Sequence, residues 1–236
     1  MLFVRDAVIR HDLRDYRLSI PVIKNTHSIE FNSPVTFFVG ENGTGKSTLI
    51  EAIAVAAGFN EEGGSRNFQF ETVRKVDVDD DTPNLIRLTR SHRRNSDGYF
   101  LRAESFFNVA SEIDRLGVTR GYGGASLHAQ SHGEAFMSLM LNRFLGDGLY
   151  ILDEPEAALS PMRQLSMLVR IHDLAEAGSQ FIIATHSPIL MAYPGATILL
   201  LEDRIREVPY EETEHYTVTR NFFARRDKML RELLRR

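Results

Sequence analysis

The apolar residues of this chain fall into short unbroken runs that alternate with longer segments of helical period. Val35–Val39 (VTFFV) and Leu149–Leu152 (LYIL) carry no polar interruption and predict strands buried on both faces. Phe181–Thr185 and Ala196–Leu201 predict two further strands. Between them lie predicted helices. Leu49–Ala57 is rich in Ala, Leu and Ile and stops at Gly58; Ala103–Leu116 and Ser131–Phe144 follow, the latter ended by Gly146 and Gly148. Ser160-Pro161 opens a helix to about Ala177, with Ser as N-cap, Pro in the first turn and Gly178 as stop. Ser187-Pro188 opens a short one, and Val218–Leu234 is the last. Strands that alternate with helices imply an α/β fold, a mostly parallel sheet covered by helices on both faces.

Other segments predict an added antiparallel β part, N-terminal and inserted. Leu2–Ile9 and Arg17–Ile23 are predicted strands around a turn at His11–Asp15, with Pro21 confined to an edge or a strand end. Ile29–Phe31 is a third. Leu85–Thr89 and Tyr99–Arg102 flank a turn at Asn95-Ser96-Asp97-Gly98 and predict a hairpin, basic through Arg87, Arg90, Arg93, Arg94 and Arg102. Arg204–Val208 pairs back on Ala196–Leu201. Asn67–Val78 has room for a strand. Asp77, Asp79, Asp80 and Asp81 before Pro83 form either a solvated turn or a hard-cation site.

The candidate chemistry begins at Gly40-Glu41-Asn42-Gly43-Thr44-Gly45-Lys46-Ser47-Thr48, which fits G-x-x-x-x-G-K-[ST], the phosphate-binding P-loop. It follows a predicted strand and opens a predicted helix, as the chemistry requires. Glycines let backbone N–H groups approach phosphate, and the helix N-terminus adds partial positive charge. The N–H groups from Asn42 through Gly43, Thr44, Gly45, Lys46 and Ser47 to Thr48 would cradle the phosphates. Lys46 would reach the β- and γ-phosphates, and the Ser47 hydroxyl would ligate Mg2+. Asp153 and Glu154 end the apolar run at Leu152. At the carboxyl end of a buried strand, Asp153 would hold Mg2+ and Glu154 would deprotonate the attacking water. His186, 33 residues after Asp153 on the next predicted strand, could contact the γ-phosphate and that water. Ser131-His132-Gly133-Glu134 has two compatible readings, a capping box before an apolar helix and a γ-phosphate site at a helix N-terminus.

Composition changes little. At 236 residues and 26.8 kDa, with 43% hydrophobic residues, the chain can bury one large core. It has no cysteine, which excludes disulfides, thiolate metal sites and a catalytic thiol. There is no signal-peptide pattern, and no apolar run approaches the roughly 20 residues of a membrane span, so a cytoplasmic protein is expected. The net charge of −4 hides an asymmetry: residues 219–236 hold seven Lys/Arg against two acids. That basic helix is either a solvated face or a surface for nucleic acid or an acidic partner.

Taken in order, GENGTGKST, QSHGE, LYILDEPEAALS and ATHSP resemble the ATP-binding cassette (ABC) ATPases, and within them the small bacterial proteins described as AAA family ATPases. The resemblance covers about residues 1–208, with a helical signature region at about 103–146 and a basic extension at 209–236. It implies ATP and Mg2+ as ligands and an ATP-dependent, head-to-tail homodimer. Ser131 and Gly133, in the stretch that resembles the signature L-S-G-G-Q, would then act on the partner's nucleotide. Glu156–Ser160 resembles the D-loop, Glu104 stands near the place of the Q-loop glutamine with Gln69 as a second candidate, and Tyr16 stands where an aromatic often stacks on adenine. A tyrosine packed at a strand end is the other reading of Tyr16. His132, Glu134 and Gln130 replace glycine, glutamine and leucine of the usual signature, and Ser160 replaces an aspartate. Glu134 would place negative charge near the partner's nucleotide. Two rival roles follow from the same likeness, the nucleotide-binding subunit of a transporter with a separate membrane subunit and a nucleotide-gated binding module with slow hydrolysis.

Overall fold

A computed structural model describes residues 2–65, 84–104, 106–115 and 126–235. Gln69 and Asp77–Asp81 lie outside the described residues, as does the strand expected at Asn67–Val78.

The central sheet has six strands, ordered β5 (Asp97–Arg102), β6 (Gly148–Asp153), β7 (Gln180–Ala184), β3 (Val35–Val39), β8 (Thr197–Leu201) and β9 (Ile205–Glu207). All pairings are parallel except β8 with β9, the expected antiparallel hairpin. Every residue of β3, β6 and β7 is buried, which explains why their sequences show no alternation. Side chains alternate between two apolar clusters. Val35, Phe37 and Val39 point into one and Phe38 into the other. The first cluster lies under α3 (Phe106–Arg115), α4 (His132–Arg143) and α5 (Pro161–Glu176). The second lies under α2 (Lys46–Ala57) and a three-stranded antiparallel sheet. That sheet runs β2 (Ser28–Glu30), β1 (Val4–Ile9), β4 (Ile86–Arg90). Each fully buried Phe contributes roughly 1.5–3 kcal/mol. A buried amide joins the two sheets: Gln180 Oε1 accepts from Phe3 N and Val4 N, and Gln180 Nε2 donates to Val4 O, all at 2.9 Å.

Three expectations are corrected. Arg17–Ile23 is not a strand. It forms a 3-10 turn at Tyr16–Ser19 and α1 at Pro21–Lys24. Asp15 caps the turn by accepting from Arg17 N at 2.9 Å, and Pro21 sits at the first helical position, where its fixed φ and missing N–H favour a helix. Tyr16 is therefore not packed at a strand end; it is 81% exposed. The hairpin across residues 95–98 is also absent, because β4 pairs with β1 and β5 with β6. Tyr99-Phe100-Leu101 is buried throughout and needs a sheet covered on both faces, whereas β4 buries only its first residue fully. Gly148 does not end α4; it opens β6.

After β9 the chain makes a 3-10 turn at Tyr210–Glu212 and enters α7 (Glu214–Leu233), which carries a non-helical residue at Arg225. α6 (Pro188–Met191) receives it: Tyr210 OH donates to Pro188 O at 2.8 Å. Arg225, Arg226, Lys228 and Arg231 are exposed.

Candidate nucleotide site

The P-loop leaves β3 at Gly40 and closes at Gly45, where α2 begins. Two of its glycines are required by geometry. Gly40 has φ of +151°, and a Cβ there would lie 2.6 Å from Leu201 O. Gly45 has φ of +97°, and a Cβ would lie 2.9 Å from Ile20 Cγ2. Lys46 is buried, and its ammonium donates to Gly40 O at 2.9 Å and Glu41 O at 2.8 Å. Burial lowers its pKa against the opposing pull of the Glu154, Asp153 and Glu156 carboxylates.

Ser47 and Asp153 meet, as the sequence predicts. Ser47 Oγ donates to Asp153 Oδ1 at 3.2 Å across more than 100 residues of chain. A hydroxyl and a single carboxylate suit Mg2+, which takes hard oxygen ligands and completes its shell with water and phosphate. Burial pushes the Asp153 carboxyl up to about 6, with Glu154 and Glu104 adding and Ser47 and Arg102 opposing. The folded value lies above the ordinary 3.8, so the nucleotide-free fold loses stability as pH rises through that window. Asp153→Asn should therefore stabilise the nucleotide-free protein in chelator by about 2 kcal/mol at pH 8, with the advantage gone by pH 4. Urea unfolding at both pH values checks this, and an Asn variant less stable than wild type at pH 8 contradicts it.

Glu154 follows Asp153 with φ of +49°, left-handed and unusual for Glu. Its N–H donates to Ala184 O at 3.0 Å on β7. Glu154 Oε1 lies 3.5 Å from His186 Nε2. The His186 backbone N–H donates to Glu156 Oε1 at 2.5 Å, and burial raises the pKa of Glu156. His186 Nδ1 lies 2.9 Å from His215 Nε2, a partner supplied by α7.

Glu104 is not part of this cluster. Its side chain is 89% exposed and faces Arg102 at 3.6 Å. Ser131 and Gly133 stand at the start of α4 and belong to another set of contacts. Ser131 N and Oγ both donate to Glu134 Oε2, at 3.0 and 2.6 Å, and the capping box forms. Arg163 of α5 lies 3.2 Å from Glu134 and donates to Ser131 Oγ at 3.4 Å. A Cβ at Gly133 would meet Arg163 Nη1 at 2.5 Å and Ala158 O at 2.7 Å. His215 and Arg163 were not singled out from the sequence; Arg163 sits three residues after an N-cap, and His215 lies in a segment with no motif.

A cleft of about 960 Å3 flanks the P-loop, lined by Gly40, Gly43, Thr44, Asp203, Arg204 and His215 among others.

Two AAA-domain family models match the chain, one over residues 16–126 and the other over residues 133–192. The description of the second also associates it with the AbiEii toxin of type IV toxin–antitoxin systems. Among solved structures, the chain is similar to a metal-chelate type ABC transporter in an inward-facing conformation, at TM-score 0.52 and 16% identity over 93% of this chain and 88% of that one. It is also similar to cbiO1 of Clostridium perfringens, part of the ABC transporter complex cbiONQ, at TM-score 0.51 and 18% identity over 94% and 95% of the two chains. This is an ABC-type P-loop ATPase fold. Curated relatives of the chain include ABC transporter G family member 22 of Arabidopsis thaliana, 27% identical over 203 residues, 74% of this chain and 27% of that one. Family member STR2 of Medicago truncatula is 26% identical over 183 residues, 65% of this chain and 24% of that one. The chain thus spans about a quarter of the length of the curated relatives it matches. Among the described residues, no helix is long and apolar enough to cross a membrane.

Proposed function

We propose that this ABC-type domain binds MgATP between two copies of itself and hydrolyses it to drive a cycle of association and release. The observation that carries this reading is the convergence of Lys46, Ser47, Asp153, Glu154 and His186 at the carboxyl ends of β3, β6 and β7. Lys46 and the N–H groups from Asn42 to Thr48 hold the phosphates, and Ser47 and Asp153 hold Mg2+. Glu154 takes the proton of the attacking water, and His186 positions that water and the γ-phosphate. Ser131 and Gly133, at the start of α4, face the nucleotide of the second copy. Arg163 offsets the charge of Glu134 there.

Light scattering of Glu154→Gln, with and without MgATP, tests the reading. A dimer only with MgATP is expected, and Ser131→Arg in the same background should abolish it. A monomer at saturating MgATP contradicts the homodimer. It would favour a second reading, a nucleotide-binding subunit completed by another protein, which the likeness to transporter components supports.

A further inference from the structure

The ring of His186 has two polar faces, and different elements meet them. Nε2 faces the Glu154 carboxylate at 3.5 Å. Nδ1 meets His215 Nε2 at 2.9 Å, with the ring centroids 5.1 Å apart. The position of His215 is built in. Thr213, fully buried, is the N-cap of α7 and accepts from Tyr216 N at 3.4 Å; Thr217 Oγ1 donates to Thr213 O at 3.1 Å. The preceding turn is tied to Pro188, two residues past His186, through the Tyr210 hydroxyl. The first turn of α7 is thus anchored on the segment that carries His186.

A contact of 2.9 Å between two ring nitrogens holds one proton. Burial, then the neighbouring His186 and Lys46, keeps the pKa of His215 below its ordinary value, so His215 is neutral. The Glu154 carboxylate decides which ring donates. A lone pair on His186 Nε2 would face the negative oxygen, whereas an N–H there is attracted to it. In a neutral His186 ring an N–H at Nε2 leaves Nδ1 as the acceptor, and the proton of the His–His contact then belongs to His215.

We propose that His215 is a positioning residue: its Nε2–H donates to His186 Nδ1 and fixes His186 as the Nε2–H tautomer, whose Nε2, buried and without a hydrogen-bond partner among the described residues, keeps its proton for the γ-phosphate site. This rests on the hydrolytic reading above. It makes residues 209–236 part of the reaction centre rather than an appendage, since the bond that orients the ring comes from α7.

The test compares the full chain with His215→Leu and His215→Gln, because the Gln side-chain amide can donate from nearly the same place as the imidazole Nε2–H. Two readouts are taken, kcat and KM for MgATP and the tautomer of His186 from 15N spectra of the ring nitrogens. His215→Leu should lower kcat roughly tenfold, the rate equivalent of one lost hydrogen bond, with KM unchanged. Gln should restore most of the rate. The spectra should show His186 protonated on Nε2 in wild type and the Gln variant, and shared between both nitrogens in the Leu variant. Wild-type His186 protonated on Nδ1 overturns the proposal, as does a Leu variant with wild-type kcat and tautomer. A wild-type chain that shows the Nε2–H tautomer but hydrolyses no ATP sustains the positioning role and sinks the hydrolytic reading alone.

Discussion

Glu154→Gln is expected to lower MgATP hydrolysis by about 100- to 10,000-fold, the range for removal of a positioned general base, while nucleotide affinity stays nearly unchanged. The geometry separates the two effects. Glu154 leaves β6 with a left-handed backbone, so its carboxylate faces His186 rather than the Ser47–Asp153 pair. Gln keeps the size, the backbone and the contact toward His186 and removes only the capacity to take a proton. Single-turnover hydrolysis and equilibrium binding of a fluorescent ATP analogue measure the two quantities separately. A variant that hydrolyses within threefold of wild type would move the base elsewhere, and Glu156 would be the next carboxylate to test. Its N–H···O contact with His186 already occupies one oxygen, which argues against it.

Lys46→Ala is expected to weaken MgATP binding by about 10- to 150-fold, because a charge-assisted contact to phosphate is worth about 1.5–3 kcal/mol. In the nucleotide-free protein the ammonium is held by the carbonyls of Gly40 and Glu41, which preorganises the loop around the phosphate site. Calorimetric titration with a non-hydrolysable ATP analogue measures the loss. Thermal unfolding without nucleotide should differ little between the two proteins, since Ala removes a buried charge together with its hydrogen bonds. A variant that binds as wild type does would show that the loop amides alone carry the affinity.

Much of the site was legible because its parts are local in sequence. The strand, glycine loop and helix around Lys46 are contiguous, and each piece has a short-range cause. The apolar run before Asp153 likewise places that carboxylate at a strand end without knowledge of the neighbours. What was not legible is pairing over distance. Residues 85–102 contain two strand-like runs with a turn-like sequence between them, yet the turn does not join them in one sheet. The runs differ in how much surface they must bury, and that follows from the layers above and below. Arg17–Ile23 was misread because its apolar residues at 18, 20, 22 and 23 fit a strand as well as a short helix, and Pro21 settles the matter through backbone geometry. His215 carries no motif, and only the docking of α7 on the Pro188 turn brings it to His186.

Arg163 has a consequence for how this chain can diverge from its relatives. One guanidinium neutralises Glu134, touches Ser131 and fills the space where a side chain at 133 would go. Drift at these four positions is therefore coupled. Loss of Arg163 would remove the cation that offsets Glu134, yet the Ala158 carbonyl, 2.7 Å from where a Cβ at 133 would lie, still holds that position to glycine. The stretch Ser131–Glu134 is in this sense a property of two helices rather than of one short word.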